Sequence, residues 1–342
     1  MNHNAHPLLE VDDLHVEFKV YGGTLKVLDG VTLKVYPGEK VGLVGETGCG
    51  KTTTMKSILR ILPIPPGRIT AGSIRFKGQE LLEMSDRQLQ QVRGSGISMI
   101  FQDPTAALNP VFTVGQQLMP VIRNASPQNK RLSRRQLRER AVAPLREVAL
   151  ADPERLLDSY PVQLSGGMRQ RVCIGMALAT DPELLIADEP GTSLDVTIQD
   201  QVLRLLHNLV QTNDMSVILI THTLGVVREM TDRVYVMYAG NVVEEAPTPK
   251  LFENPLHPYT QGLMQAVPKL TGGGIAHGIP GRIPSYREPP AGCRFHPRCP
   301  YAMAVCRERK PPPYKVDEDH WAACFLYDDA LVAQDKMPSE PE

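Results

Sequence analysis

The stretch "KVGLVGETGCGKT", residues 40–52, decides the fold. Its first half is a short apolar strand, and its second half, "GETGCGKT" at 45–52, matches the phosphate-binding pattern G-x-x-x-x-G-K-[ST]. A helix predicted from about Thr52 to Leu62 follows, and the proline-rich "PIPPG" at 63–67 ends it. Because the pattern requires this strand–turn–helix context, the chain is predicted to bind nucleotide phosphates within an α/β fold.

The glycine-rich turn supplies the groups that a triphosphate needs. Its glycines let the backbone wrap a phosphate with N–H groups pointing inward, and the helix N-terminus adds positive potential. Lys51 is expected to reach the β- and γ-phosphates of ATP, and the hydroxyl of Thr52 is expected to bind Mg²⁺. The predicted nucleotide-binding residues of this segment are Gly45, Gly48, Gly50, Lys51, Thr52 and Thr53.

A second apolar strand ends in two carboxylates. "LLIADEP", residues 184–190, places Asp188 at the carboxyl end of a predicted central strand, where doubly wound sheets bind ligands. Asp188 is expected to hold Mg²⁺, and the adjacent Glu189 is expected to polarise the attacking water. The segment between the two phosphate motifs is too long for a simple strand–helix–strand unit, and its pattern predicts a largely helical insertion at about 105–182.

Other stretches complete the predicted α/β architecture. Residues 8–45 alternate apolar and polar side chains between glycine turns, which favours antiparallel strands. The apolar run at 215–222 favours another central parallel strand, and residues 232–246 favour a hairpin. Prolines are frequent between 280 and 313, so this region is predicted to be irregular.

Four further motifs follow in order: "FQDP" at 101–104, "LSGGMRQ" at 164–170, "SLD" at 193–195 and "ITHT" at 220–223. Together with the phosphate motifs, this set resembles the ATP-binding cassette (ABC) ATPases. The resemblance implies an ABC-type P-loop ATPase fold of the α/β class. Such a fold has a parallel core sheet, an antiparallel β-subdomain and a helical subdomain, here with a small irregular C-terminal domain rich in cysteine and proline.

In that family, two protomers enclose ATP between them, and ATP closes the pair while hydrolysis reopens it. Each motif contributes to this cycle, and the signature loop reaches the γ-phosphate bound by the opposite protomer. The resemblance assigns Glu189, His222 and Gln102 to catalysis, Thr52, Gln102 and Asp188 to Mg²⁺, Tyr21 to adenine stacking, Leu164, Ser165, Gly166 and Gly167 to the signature loop, and Asp195 to the dimer contact.

One position departs from the family pattern. Related importers more often carry Thr at position 191, where this chain has Gly191 within "EPGTSLD". A glycine there is expected to loosen the loop that joins Glu189 to Asp195 without abolishing hydrolysis.

The last hundred residues narrow the resemblance. "NPLHPYTQGLMQAVP" at 254–268 and "IPGRIPSYREPPAGCRFHPRC" at 279–299 resemble the C-terminal extension of oligopeptide and dipeptide importer ATPases. The first loop, which contains "GRITAG" at 67–72, is long and in this respect resembles the D-type protomer of these importers more than the F-type. The implied domains are an ABC nucleotide-binding domain at 1–255, an importer-type extension with a four-cysteine site at 256–327, and a flexible tail at 328–342.

The extension contains four cysteines in the spacing C-x5-C-x6-C-x17-C, without a C-x-x-C pair. Disulfides are not expected in a reducing compartment, so chemistry alone leaves an iron–sulfur cluster, a zinc ion or unmetallated buried cysteines. His296 and His320 lie nearby and are expected to hydrogen-bond within the fold. The resemblance implies a [4Fe-4S] cluster, with Zn²⁺ as the alternative, bound by Cys293, Cys299, Cys306 and Cys324. We expect this site to brace the extension and to take no part in hydrolysis.

Composition limits the other functions. The net charge is −1, which gives no overall electrostatic attraction to nucleic acid. No apolar run approaches the roughly 18 residues needed to span a bilayer, so the chain is expected in the cytosol. The basic run at 130–140 has leucines at helical spacing, which predicts an amphipathic helix with a solvated basic face. Contact of this face with lipid head groups or with the membrane subunit is the alternative. No nucleic-acid partner is predicted.

The resemblance implies an ATP hydrolase of the ABC translocase class that powers uptake of di- or oligopeptides. Nickel or an oligosaccharide is the alternative cargo. Less favoured readings are a soluble ABC ATPase acting on nucleic acid or ribosomes, and a redox sensor in which the cluster gates hydrolysis. The implied partners are a second ABC protomer (a paralogous F-type subunit), two transmembrane permease subunits and an extracellular solute-binding protein. The implied location is peripheral, at the cytoplasmic face of the inner membrane.

Overall fold

The computed structural model of the protein describes residues 6–126, 128–213, 215–266 and 278–335. The end of the 254–268 motif and residues 336–342 of the predicted tail lie outside these ranges. The chain divides into two compact units, which we name by their contents. The helix-rich unit comprises residues 1–8, 35–40 and 80–221, and the phosphate-loop unit comprises residues 9–34, 41–79 and 222–342.

The described chain contains both strands and helices, in the following order within each type. The strands are β1 (Leu9–Val20), β2 (Gly23–Val35), β3 (Lys40–Val44), β4 (Gly67–Phe76), β5 (Gln79–Glu80), β6 (Ile97–Ile100), β7 (Leu184–Asp188), β8 (Ser216–Ile220), β9 (Arg233–Tyr238), β10 (Asn241–Pro247), β11 (Tyr314–Asp317) and β12 (His320–Ala322). The helices are α1 (Lys51–Ile58), α2 (Asp86–Gln91), α3 (Pro104–Ala107), α4 (Val114–Ala125), α5 (Arg134–Glu147), α6 (Pro153–Leu156), α7 (Gly166–Leu178), α8 (Val196–Thr212), α9 (Leu224–Met230), α10 (Thr248–Glu253), α11 (Pro258–Gln265), α12 (Val305–Glu308) and α13 (Asp329–Asp335).

The phosphate-loop unit contains an antiparallel sheet in the strand order β2-β1-β4-β5. β1 pairs with β4 from Leu9 opposite Phe76 to Phe18 opposite Gly67. Leu9 and Val11 of β1 are fully buried, whereas the intervening side chain is partly exposed. This alternation is the period-two pattern of a sheet with one buried face. The prediction of antiparallel strands over 8–45 is confirmed for β1 and is wrong for β3, which pairs in parallel.

The same unit contains the strand that leads into the phosphate loop. β3 runs parallel to β9, with Val41 opposite Arg233 and Val44 opposite Val236. β9 and β10 form the predicted hairpin, and β12 and β11 of the extension add to β10 in antiparallel pairs. The extension therefore continues the sheet that carries the phosphate loop.

An aromatic core joins these strands to the extension. Tyr238 of β9 contacts Tyr259 of α11, with ring centroids 4.7 Å apart, and Phe295, at 5.1 Å. All three rings are buried, and Val44 and Val236 belong to the same hydrophobic cluster. Large buried aromatic rings contribute strongly to packing energy, so the extension is firmly attached beside β3 and β9.

The helix-rich unit is built around three parallel strands. β7 pairs with β6, as at Leu184 opposite Ile97, and with β8, as at Leu184 opposite Ser216. Every residue of β7 and β8 is buried, which explains their nearly continuous apolar sequences. The parallel pairing confirms the predicted core-sheet strands.

Helices occupy the region predicted to be helical. Ser133 caps α5, because its hydroxyl accepts a hydrogen bond from the Gln136 N–H while the Gln136 side chain accepts from the Ser133 N–H. Leu137 and Leu145 of α5 are buried, and Arg135 is exposed. The basic run therefore lies on the outer face of an amphipathic helix, as predicted.

One helix ends earlier than predicted. α1 ends at Ile58 rather than near residue 62, because Arg60 adopts a left-handed conformation with φ +49°. The Ile61 N–H then bonds to the Lys56 carbonyl, which closes the helix with a Schellman motif. In the predicted tail, Asp329–Asp335 form a short helix. Within the described ranges, no helix combines the length and apolar character needed to cross a membrane.

Candidate functional site

The phosphate loop turns sharply between β3 and α1, and close backbone approaches explain its glycines. Gly45 has φ +152°, and a Cβ there would lie 2.2 Å from the carbonyl oxygen of Met237. Gly50, the N-cap of α1, has φ +111°, and a Cβ there would lie 2.7 Å from Leu28. L-residues rarely adopt these φ values, so both positions require glycine.

The ammonium group of Lys51 lies inside this loop. Its Nζ donates hydrogen bonds to the carbonyl oxygens of Gly45, at 2.7 Å, and Glu46, at 3.1 Å. The residue is only 5% exposed. The loop thus holds a positive charge at the start of α1, where the helix dipole also favours an anion.

The other predicted nucleotide-binding and catalytic residues of this unit differ in their exposure to solvent. Thr52 and Thr53 lie in the first turn of α1 and are half-buried. The Tyr21 ring is fully exposed, as a stacking platform must be before it binds a base. His222 is exposed and lies two residues before α9.

In the helix-rich unit, two carboxylates lie at and just after the end of β7. Asp188 is the last residue of β7 and is buried. Glu189 follows with φ +46°, an uncommon conformation for a residue with a side chain, and its N–H bonds to the Ile220 carbonyl at 2.9 Å. The Oε2 atom of Glu189 accepts hydrogen bonds from Gln102 Nε2 and Thr192 Oγ1, both at 3.0 Å. The structure therefore brings together two of the predicted catalytic residues, Gln102 and Glu189.

Gly191 lies in a tightly packed turn. A Cβ at this position would be 2.6 Å from Cγ of Gln199 on α8, and the Gly191 carbonyl accepts a bond from the Leu194 N–H at 3.1 Å. The sequence predicts a loosened loop here, whereas the structure shows close packing that the missing side chain makes possible.

The signature loop forms the start of α7. Ser165 is the N-cap, and its hydroxyl accepts a hydrogen bond from the Met168 N–H at 3.3 Å. Leu164 is buried. A Cβ on Gly166 would lie 3.2 Å from Leu194, and one on Gly167 would lie 2.7 Å from Ile198. The small residues therefore let the helix N-terminus approach the segment that contains Asp195, the exposed N-cap of α8.

Two family models match the chain. The model described as "ABC transporter" matches residues 28–192, and the model described as "Oligopeptide/dipeptide transporter, C-terminal region" matches residues 243–306. The chain is 49% identical to "Probable peptide ABC transporter ATP-binding protein y4tR" of Sinorhizobium fredii, over 95% of this chain and 96% of the relative. It is 45% identical to "Dipeptide transport ATP-binding protein DppD" of Bacillus subtilis, over 94% of this chain and 95% of the relative.

The chain belongs to the ABC ATPases of the peptide importer family. The predicted family, fold class and ATP-hydrolysing activity are thereby confirmed. The structure of this ABC ATPase is also similar to "Dimeric structure of a post-hydrolysis state of the ATP-binding cassette MJ0796 bound to ADP and Pi". The TM-score is 0.62 at 26% identity, covering 70% of this chain and 98% of the other. The individual roles of the motif residues remain predictions.

The extension of this ABC ATPase brings its four cysteines together. Cys293, Cys299, Cys306 and Cys324 line one small pocket, with Phe295 and Phe325 among its apolar neighbours. Burial raises the pKa of the Cys293 thiol to about 11 and that of the Cys324 thiol to about 12. These thiols are therefore protonated at neutral pH unless a metal displaces the proton.

Backbone N–H groups lie beside three of these sulfurs. Burial raises the pKa values of Cys293, Cys299 and Cys324, and the backbone N–H groups of Phe295, Tyr301 and Leu326, respectively, oppose this rise. Each donor comes two residues after its cysteine. Such hydrogen bonds favour the thiolate form, and they also tune iron–sulfur sites. Across the described residues, however, no group of three or more His, Cys, Asp or Glu side chains is arranged to hold a metal ion.

The two nearby histidines hydrogen-bond within the fold, as predicted. His296 Nδ1 lies 2.9 Å from the carbonyl oxygen of Cys293. His320 Nε2 lies 2.8 Å from Oε1 of the buried Glu244. Both rings therefore have a protein partner that does not require a metal.

Sequence reasoning missed the contacts between the extension and the phosphate loop. Arg298 forms an ion pair with Glu46, and the hydroxyls of Tyr286 and Tyr259 hydrogen-bond to the loop backbone. These partners are more than two hundred positions apart, so no local pattern signals them. The only available clue is that "IPSYREPPAGCRFHPRC" belongs to the extension motif.

Proposed function

We propose that this ABC ATPase hydrolyses ATP to drive the uptake of di- or oligopeptides through a channel formed by other chains. The observation that carries the hydrolytic part is the Glu189 carboxylate, held at the end of β7 by Gln102 and Thr192. The phosphate loop with Lys51 supports ATP as the substrate. The names of y4tR and DppD support a peptide cargo.

The hydrolytic step follows from the chemistry of these groups. Lys51 and the loop N–H groups bind the phosphates. Thr52, Gln102 and Asp188 would hold Mg²⁺, which neutralises phosphate charge when bound. The water oxygen bonds to the γ-phosphorus while the bond from that phosphorus to the β–γ bridging oxygen breaks, and Glu189 receives the water proton. ADP and phosphate are the products, Glu189 then releases its proton, and His222 holds the transition-state geometry.

Two surfaces of the helix-rich unit support the proposed partners. Ser165, the glycines after it and the exposed Asp195 are proposed to face the ATP of a second, F-type protomer. Near Gln102, the exposed apolar side chains of Phe101, Val111 and Phe112 suit contact with a permease subunit. The proposed assembly contains two permease subunits, recruits an extracellular solute-binding protein, and places this chain at the cytoplasmic face of the inner membrane.

The four cysteines are proposed to bind a [4Fe-4S] cluster, with Zn²⁺ as the alternative. The support is the type of donor: four cysteine sulfurs line one pocket, and thiolates are ligands of both groups, although the described side chains are not arranged around a metal position. A bound cluster would link segments 293–306 and 324 and so brace the extension. It would take no part in ATP hydrolysis.

Reconstitution with candidate permease subunits and a binding protein tests the transport proposal. Dipeptides or longer peptides are expected to stimulate ATP hydrolysis, and the Glu189→Gln variant in the same assembly should show no stimulation. Stimulation by Ni²⁺ or an oligosaccharide alone would overturn the peptide cargo. Steeply salt-dependent binding to nucleic acid, without association with the permease, would overturn the importer.

Anaerobic purification with iron and acid-labile sulfide analysis tests the cofactor proposal. We expect about four iron and four sulfide per chain, as the cluster composition requires. Cys299→Ser should lower both, and Cys173→Ser, a buried cysteine of α7 outside the pocket, is the matched control. Stoichiometric zinc without sulfide would support the alternative. A change in ATP turnover on cluster oxidation would instead support the redox sensor.

A further inference from the structure

We propose that Arg298 and Tyr286 of the extension are positioning residues that hold the phosphate loop in its binding conformation and thereby set the affinity for ATP. This inference rests on the proposed ATP hydrolysis, and it assigns to the extension a role beyond bracing itself.

The Arg298–Glu46 ion pair is the strongest of these contacts. The guanidinium donates from Nη1 to Oε2 of Glu46 at 2.8 Å and from Nη2 to Oε1 at 2.9 Å. The Arg298 side chain is only 5% exposed, so solvent screens this bidentate pair weakly. Glu46 immediately follows Gly45, and its carbonyl accepts a hydrogen bond from Lys51. The ion pair therefore restrains the same residue that helps to hold the phosphate-binding lysine.

Backbone carbonyls of the extension also hold the Arg298 side chain. Arg298 Nε donates to the carbonyl of Pro280 at 2.8 Å, and Arg298 Nη2 donates to the carbonyl of Ile279 at 3.0 Å. Nη1 in addition lies 3.3 Å from the hydroxyl of Tyr238. Because every guanidinium nitrogen has an acceptor, the side chain cannot swing away from Glu46 without losing several hydrogen bonds.

Two tyrosine hydroxyls hold the loop backbone. Tyr286 Oη donates to the Gly48 carbonyl at 2.7 Å, and Tyr259 Oη accepts from the Glu46 N–H at 2.8 Å. A Cβ built on Gly48 would meet no heavy atom within 4 Å, so the space beside this residue is open. The Tyr286 hydroxyl is therefore a fixed contact at an otherwise open part of the loop.

The same segment of the extension contacts the turn that carries Tyr21. The Arg287 guanidinium donates to the Tyr21 carbonyl at 3.0 Å, and its side chain lies against Gly22 and Gly23. The Tyr286 carbonyl accepts from the Lys26 N–H of β2 at 2.7 Å. One short segment thus orders both predicted nucleotide-contacting stretches of the phosphate-loop unit.

The expected effect is on ATP binding rather than on the chemical step. A loop that is already ordered avoids the entropy cost of ordering when the phosphate binds. Arg298 and Tyr286 bond to the phosphate loop, whereas the proposed proton acceptor of the chemical step is Glu189. Their loss should therefore raise Kd and KM for ATP while leaving kcat near its original value.

The test compares full-length variants by titration with a fluorescent ATP analogue and by steady-state ATP hydrolysis. Arg298→Gln is expected to raise Kd about tenfold, and Tyr286→Phe about threefold. Arg298→Lys, which keeps the charge without the bidentate geometry, should be intermediate. Arg282→Gln, at an exposed arginine of the same extension, is the matched control and should leave Kd unchanged. Equal iron content and melting temperature would show that the effect does not arise through loss of the cysteine site.

A double-mutant cycle identifies the route. If Arg298 acts through Glu46, adding Glu46→Gln to Arg298→Gln should not weaken binding further. An unchanged Kd in folded Arg298→Gln overturns the proposal. If that variant does not fold, Tyr286→Phe decides, because it removes one hydroxyl only, and an unchanged Kd there is equally contradictory. Failure of the wild-type chain to bind ATP would instead overturn the proposed function.

Discussion

The phosphate loop and the Glu189 turn both follow the carboxyl end of a buried parallel strand, but different parts of the chain hold them. Near neighbours hold much of the Glu189 turn: Thr192 bonds to the carboxylate, and Gln199 packs against Gly191. The phosphate loop depends on side chains that follow it by more than two hundred positions, among them Arg298. The hydrolytic turn is thus held by residues of the helix-rich unit, whereas the extension supports the binding loop.

The largest expected effect separates chemistry from binding. Glu189→Gln should lower kcat about a thousandfold, because the amide cannot accept the water proton. ATP affinity should change little, since the phosphate loop keeps its own contacts. Single-turnover hydrolysis with a nucleotide titration measures both quantities. A large loss of affinity in a folded variant would contradict the separation between the two regions.

The next test lowers the pH, which should destabilise the extension before it destabilises the Glu189 turn. His257 is fully buried, and burial lowers its pKa to about 4, although the nearby Glu244 opposes this shift. Its Nδ1 accepts a hydrogen bond from the Tyr259 N–H, which only the unprotonated nitrogen can do. The unfolded chain takes up this proton near pH 6.5, so stability is full above that pH and falls as the pH is lowered to about 4.

The expected loss at pH 4 is about 3 kcal/mol in the free energy of unfolding. Hydrogen exchange should show faster exchange in α11 and the phosphate loop before the Glu189 turn is affected. His257→Asn, which keeps a helix-capping acceptor but does not titrate, is the control and should flatten the stability profile over this range. Equal protection loss in both regions would show that the extension does not support the loop selectively.

Gly191→Thr tests how tightly the local turn is packed. A Cβ at 191 would come within 2.6 Å of Gln199 Cγ, so the substitution should lower the free energy of unfolding by about 1–2 kcal/mol. Adding Gln199→Ala should recover most of the loss, because it removes the clashing atom. Thermal denaturation of both variants measures the effect. If Gly191→Thr alone is as stable as the wild type, α8 can shift to make room, and the turn is not closely packed.

The sequence predicts what depends on local pattern. The strand–loop–helix around Lys51 and the apolar run that ends at Asp188 each carry their signal within about ten residues, and both occur as expected. The early end of α1 was not predictable in this way, because its left-handed residue is Arg60, which carries no turn signal. The Schellman hydrogen bonds become visible only in the folded chain.

Contacts between residues far apart in the sequence also could not be predicted from local patterns. "GETGCGKT" identifies Glu46 only as a variable position of the pattern, and Arg298 is one arginine among several in the extension. Their ion pair requires the packing of Tyr238, Tyr259 and Phe295, which brings the extension beside β3. The four cysteines were grouped by resemblance, and the structure places them around one pocket.

The smallest expected effect concerns Tyr21, a predicted nucleotide contact on an exposed turn. Its side chain is fully exposed, so Tyr21→Ala should leave the melting temperature unchanged. Base–aromatic stacking is worth about 1–3 kcal/mol, and an exposed platform lies at the low end, so ATP affinity should fall about fivefold. Tyr21→Phe keeps the ring and should bind ATP normally. Because stacking tolerates different bases, GTP should lose affinity in parallel. An Ala variant with wild-type affinity would remove Tyr21 from the site, and the phosphate loop would then carry the binding energy alone.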